Sequence, residues 1–232
     1  MELIWNGIIK AIIALATLDP EIMEVALLTL QVSVAATLVS LLIGIPLGSV
    51  LALSQFPGRN FLVSIANFGM GLPPVVVGLW VSIFLWRSGP LGSLNMIYTP
   101  YAMIIAQAVI ASPIVISLTL AAIQQINPQL RLQLTALGAN RTQMAWTLVK
   151  EARLGLLAAV MAGFGGVISE VGASMMAGGN IKGMTRVFTT ATVMEVSKGN
   201  FDVAIALSIL LMLLAYGVTA ILTAIQQGRN NR

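Results

Sequence analysis

NPQLRLQLTALGANRTQMAWTLVKEAR, residues 127–153, is the longest polar interval in an otherwise apolar chain. It carries Arg131, Arg141, Lys150 and Arg153, a third of all the cations. It also has the marks of ordered structure. Pro128 suits the first position of a helix, where its missing N–H costs nothing and its fixed φ fits. Leu130, Leu134 and Leu137 recur at helical spacing, and Gly138 suits a helix stop. Asn140 then suits the N-cap of a second short helix through Val149. A folded, basic helix-turn-helix held outside an apolar bundle implies a surface used for contact.

The rest of the chain sets the context of that hairpin. Of 232 residues, 58% are hydrophobic and 9% charged, and the mean hydropathy is +0.94. Soluble domains carry about 25% charged residues, so this is a polytopic membrane chain. Its length suits about five spans in one membrane domain, residues 1–232, with no soluble catalytic domain. There is no cysteine and no histidine, which removes disulfides, thiolate chemistry and the commonest zinc sites. The formal charge of +4 is the topogenic charge that borders membrane spans. No aromatic-basic patch of the kind that binds nucleic acid accompanies it.

In chain order, residues 1–18 hold Ile4, Ile8, Ala11, Ile12 and Leu15 on one helical face. Glu2 and Lys10 fit a signal peptide poorly. The expectation is a short interfacial helix, with a short first span as the competing reading. Asp19 and Pro20 then suit an N-cap and N1. Spans are expected at 25–54, 61–86, 98–126, 154–177 and 203–225. The first contains Gly44-x-x-x-Gly48, a close-contact pattern. The second contains Pro73 and Pro74, which bend the helix and either kink it or open it toward a pathway. The fourth carries the small-residue ladder Gly165, Ser169, Ala173 and Ala177. A second polar stretch, 178–200, allows a helix from Thr185 to Ser197.

Charge fixes the expected orientation. Arg59, Arg131, Arg141, Lys150, Arg153, Arg229 and Arg232 fall on one side of the membrane. Lys10, Arg87, Lys182, Arg186 and Lys198 fall on the other. The richer side is cytoplasmic by the positive-inside rule. The N-terminus is then outside, and the 127–153 loop and the C-terminus are inside.

Chemistry is sparse. No Gly-x-x-x-x-Gly-Lys-Ser/Thr sequence occurs, so the chain does not itself cradle ATP in a P-loop. No metal site, cofactor site or catalytic dyad is expected. Glu170, a carboxylate within a span, is the internal anomaly, costing at least ~2.5 kcal/mol if charged in lipid. It is read either as a pathway or gate residue or as a structural carboxylate paired with a cation such as Arg186. Ser169, Asn180, Thr189 and Thr190 are the candidate donors to an anion, with helix-helix hydrogen bonding as the alternative for each.

At TALGANRTQMAWTLVKEAR, ending at Arg153, the chain resembles the EAA loop of ABC importer permeases. That loop is a cytoplasmic helical pair that docks on an ATPase subunit. The match centres on Ala136, Leu137, Gly138 and Ala139, followed by Asn140. The family's Glu-Ala-Ala falls near Leu132–Leu134 here and its Leu-Pro near Lys150–Glu151, so both are replaced. FPGRN (56–60), MGLPPVVVG (70–78), RSGPLG (87–92), ISEVGASMMAGGNI (168–181), TRVFTTA (185–191) and SKGNF (197–201) resemble permeases of tungstate-type importers; molybdate and sulfate permeases are similar. The resemblance implies an all-α, type I ABC importer permease. It implies a homodimer, two ATPase subunits and an extracytoplasmic oxyanion-binding protein in a prokaryotic cytoplasmic membrane. Ala136–Asn140 would couple to the ATPase. The competing classes are another small solute as cargo, an ATP-independent channel or secondary transporter, and an intramembrane enzyme, which Glu170 alone does not support.

Overall fold

The computed structural model describes residues 2–228 and is helical throughout, without strands among those residues. Arg229 and Arg232, which entered the charge count, lie outside the described residues. The elements are α1 (Glu2–Thr17), α2 (Pro20–Leu53), α3 (Arg59–Gly69), α4 (Pro74–Leu85), a single 3₁₀ turn (Gly92–Leu94) and α5 (Pro100–Gln124). They continue with α6 (Pro128–Ala136), α7 (Arg141–Glu151), α8 (Arg153–Ile168), α9 (Gly172–Gly178), α10 (Phe188–Ser197) and α11 (Phe201–Gly228). Three helices are long and apolar enough to cross a membrane: Pro20–Leu53, Pro100–Gln124 and Phe201–Gln227. Five segments qualify if two bent pairs each count as one, α3–α4 bent by 103° and α7–α8 bent by 66°.

The centre of the bundle is α2, α5 and α8, packed pairwise. Gly44 and Gly48 make the α2–α5 contact close. A Cβ on Gly44 would lie 2.6 Å from Val115 Cγ1, and one on Gly48 would lie 2.6 Å from the Ile116 carbonyl oxygen. Gly155 does the same for α8 against Ala122 of α5. Small residues let backbones approach where lipid offers no hydrophobic drive between helices. The outer surface stays apolar, with Leu42, Phe61, Phe68 and Tyr216 exposed, as a lipid-facing surface requires.

Two sequence expectations change in detail, and α1 makes a protein contact on which the sequence reading was silent. The face of α1 that packs is Gly7, Ala11 and Ala14, against the first half of α11, while Ile4, Ile12 and Leu15 are exposed. A Cβ on Gly7 would meet Ile205, so close backbone approach selected the small face over the bulky one. Lys10 adds an ion pair to Asp202. The stretch 154–177 is not one helix: α8 ends at Ile168 and α9 begins at Gly172, which cuts the small-residue ladder at Ser169. The helix expected from Thr185 begins at Phe188 instead. Thr185 is fully buried and its hydroxyl donates to the Gly178 carbonyl and accepts from the Ile181 N–H, which fixes a loop there.

Candidate functional site: two helix breaks and an external hairpin

The first break lies between α3 and α4. Met70 and Gly71 close a tightened last turn by donating to the carbonyls of Asn67 and Phe68. Pro73 is extended and Pro74 takes N1 of α4, so no continuous helix passes through them. The chain therefore turns by 103° rather than merely kinking. Pro73 is exposed and Pro74 half-buried.

The second break, Ser169–Val171, meets the first. A Cβ on Gly172 would be 2.5 Å from Val75 Cγ2, 3.3 Å from the Val75 amide nitrogen and 3.4 Å from Glu170 Oε1. A Cβ on Gly78 would be 2.6 Å from Ala173 Cα. The starts of α4 and α9 are thus pressed together, with the Glu170 carboxylate beside both. Glu170 Oε1 accepts from the Ala173 N–H at 3.0 Å, satisfying an amide at the start of α9. The half-buried Glu170 has no cation partner among the described residues. Arg186, its expected partner, instead faces Glu21 at 3.9 Å, alongside a Lys182–Glu21 pair at 2.6 Å. The cause is topology: Arg186 lies on the loop beside the start of α2, not beside the break.

A polar chain runs through this junction. Gln107 of α5, only 3% exposed, donates to the Ser174 hydroxyl at 2.7 Å. Ser174 donates to the Glu170 carbonyl at 3.4 Å, and Thr189 of α10 donates to the same carbonyl at 3.0 Å. The break carbonyl freed by the end of α8 is thereby satisfied by two hydroxyls from different elements. Of the candidate anion donors, Ser169 gives its proton to the Gly165 carbonyl, Thr189 to Glu170 and Thr190 to Val187. In this conformation all three hydroxyl protons are committed to backbone. Asn180 differs: it sits in the left-handed region at φ 52° and its buried Oδ1 has no partner among the described residues. Gln107 and the Gly78–Gly172 contacts were not singled out as site residues in the sequence. A lone glutamine in an apolar span was the visible signal for the first; nothing marks which of so many glycines make contacts.

The hairpin is built as a unit. Asn127 caps α6 by accepting from the Gln129 N–H. At its other end Gly138 donates to Thr135 O and Ala139 donates to Leu134 O, each at 3.0 Å, which is a Schellman motif around Gly138 at φ 76°. Asn140 and Gln143 then form a reciprocal capping box at the start of α7. Arg59 Nε donates to Leu51 O at 2.7 Å and Arg131 to Ala52 O at 3.4 Å, so two cations cover the last carbonyls of α2. Leu148 of α7 is fully buried against the bundle, while Trp146 points away and is 72% exposed. At the turn Leu137 is 83% exposed, and no residue of α6 is buried. Ala136 and Asn140 are exposed and Ala139 is half-buried, so the five coupling candidates form one accessible turn.

An apolar exterior, paired helix breaks and an external hairpin with uncovered apolar tips describe a multi-pass membrane chain with a surface free for a partner. The chain belongs to the family described as binding-protein-dependent transport system inner membrane component, whose model matches residues 44–231. It is 38% identical to a probable anion ABC transporter permease of Haloferax volcanii, over 91% of this chain and 94% of that one. It is 36% identical to the tungstate uptake system permease TupB of Peptoclostridium acidaminophilum, over 98% and 100%. A molybdenum transport permease, ModB of Escherichia coli, is 29% identical over 75% and 79%. Among solved structures, a chain of the MetNI methionine ABC transporter in an inward-facing conformation shares the fold, with a TM-score of 0.77 at 20% identity over 91% of this chain and 97% of that one.

Proposed function

We propose that this chain is the membrane permease of an ATP-driven importer that carries an oxyanion, tungstate first, into the cell. The observation that carries the cargo reading is the match along nearly the whole chain to a tungstate uptake permease, 36% identical over 98% of the residues. Two copies form the path, two separate ATPase subunits bind below, and an extracytoplasmic binding protein delivers the anion above. The N-terminus lies outside and the C-terminus inside. In support, Arg59 and Arg131 sit at the Leu53 end of α2, while Lys182 and Arg186 sit with Glu21 at the Pro20 end.

The turn Ala136–Asn140 is the coupling element, with exposed Leu137 as its apolar tip. ATP-driven closure of the ATPase pair moves the hairpin, and α7 passes that motion into α8 through the bend at Ala152. The breaks at Pro73–Pro74 and Ser169–Glu170 form the gate, where backbone without a continuous helix is tolerated only against protein or a watery path. Thr189 touches the second break through the Glu170 carbonyl, and Asn180 and Thr190 are further candidates to meet the anion. Opening requires the hydroxyls of Ser169 and Thr189 to exchange their backbone partners for the anion or water. Glu170 repels an anion directly, so its part is to hold the start of α9 in the closed gate.

The test is ATP hydrolysis by the reconstituted permease with its ATPase and binding protein. Binding protein loaded with tungstate should stimulate hydrolysis most, then molybdate, then sulfate. Equal stimulation by all three, or by none, contradicts the cargo reading.

A further inference from the structure

A cleft of about 520 Å³ opens between the end of α2 and the hairpin, with Arg131 and Arg141 on one wall and Ser54 and Gln55 on the other. We propose that this cleft binds a phosphate-class oxyanion group, and that the bound group ties the hairpin to the end of α2. The inference goes beyond the transport reading and needs only that the hairpin lies at a membrane face.

The chemistry of the walls carries it. No carboxylate lines the cleft. Arg141 makes no hydrogen bond or ion pair among the described residues, and Arg131 spends one donor on a long bond to Ala52 O at 3.4 Å. A guanidinium has several fixed donors matched to tetrahedral oxyanions, so both residues retain capacity. The Ser54 hydroxyl and the Gln55 amide are likewise without side-chain partners among the described residues. The carbonyls at the end of α2 would repel an anion, but Arg59 and Arg131 already cover Leu51 O and Ala52 O. On α7, Met144 lies one turn and Arg141 two turns before the buried Leu148, so the exposed Arg141 lines the cleft on that side of α7 and not on the side that carries Trp146.

The position suggests the source. α2 has 34 residues, and a helix rises ~1.5 Å per residue against a hydrocarbon core of ~30 Å. Its last turn therefore reaches headgroup level. Val50, half exposed, lines the cleft and the exposed Leu47 lies one turn before it, which suits an acyl chain beneath a phosphodiester. A free tetrahedral dianion presents the same group without the chain.

The experiment measures amide hydrogen exchange across 128–150 in the full chain held in phosphatidylcholine nanodiscs. One arm adds phosphatidylglycerol; the other adds inorganic phosphate or tungstate against chloride at equal ionic strength. Exchange should slow several-fold in at least one arm. Slowing by phosphatidylglycerol alone assigns a lipid headgroup, slowing by the free anions alone assigns a solution oxyanion, and slowing by both assigns a shared site. R141Q should abolish the slowing, whereas K150Q, on the opposite face of α7, should keep it. R141Q removes no hydrogen bond or ion pair among the described residues, so the variant is expected to fold; retention of phosphatidylglycerol in native mass spectra gives a second reading on the same protein. No slowing in either arm, or slowing in R141Q equal to wild type, overturns the site. None of these readouts requires transport, so failure here is separable from failure of the importer reading.

Discussion

Gly138 is demanded by backbone conformation rather than by space. A Cβ there would meet nothing within 4 Å, yet φ is 76°, where an L side chain costs ~1–2 kcal/mol. Asparagine tolerates this region better than β-branched residues. Gly138→Val should therefore fray the hairpin and reduce ATP-driven uptake about tenfold, following the factor of ten that ~1.4 kcal/mol represents; Gly138→Asn should retain most of it. Uptake assays with equal membrane amounts compare the two, and equal loss in both would remove the conformational argument. At Gly78 the demand is space instead. Gly78→Val should lower the thermal midpoint of the purified protein by disrupting α4 against α9, at a cost of ~1–3 kcal/mol, because the obstacle is the Ala173 backbone. Glu195, outside the spans, shows a pH-sensitive joint. Its hydrogen bond from Lys198, with a second from Asn200, holds its carboxyl below the ordinary glutamate value. A lowered pKa stabilises the fold above the ordinary value, and that stability is lost as pH falls through the lowered one. Glu195→Gln should flatten this part of the acid limb in thermal melts, and an unchanged limb would remove Glu195 as its source.

At the scale of elements, the hairpin was the most legible part of the sequence and the paired helix breaks the least. Pro128, Gly138 and Asn140 each have a local conformational preference, and the structure uses each one where it stands. Pro73 and Pro74 announced a disturbance, but the local sequence does not determine whether two prolines kink or break a span. In the fold, the 103° turn goes with close contacts of Gly78 on Ala173 and Gly172 on Val75, which are tertiary and not local. The break at Ser169–Val171 was not legible, since Gly163, Gly165 and Gly166 read as close-packing positions within one helix. What ends α8 is a set of distant partners, Thr189 and the Gln107–Ser174 bond, that appear only once the chain is folded. The packing face of α1 was not legible for a related reason: between membrane helices the small face packs, and Gly7, Ala11 and Ala14 make that contact while the bulky residues stay exposed. If the break carbonyl depends on this network, Gln107→Leu should alter the junction of α4 and α9 more than the hairpin. Cysteines placed in α4 and α9 should label faster in that variant while hydrogen exchange across 128–150 stays unchanged. Unaltered labelling would make Gln107 a packing residue only.

At the scale of the whole molecule, the bundle carries charge at its two ends and apolar surface between them. The hairpin leaves Leu137 and Trp146 uncovered outside the bundle, and the family assigns the chain to a binding-protein-dependent system. Both observations favour a permease whose motion is driven from elsewhere over a self-sufficient channel. The central claim is that this chain moves an oxyanion only when an ATPase works through the hairpin. Tungstate accumulation in proteoliposomes containing the permease, its ATPase and loaded binding protein tests it most directly. The account predicts accumulation with ATP, none without ATP or without the ATPase, and an about tenfold lower rate with Gly138→Val. Tungstate flux through the permease alone, at a rate unaffected by ATP, would contradict it.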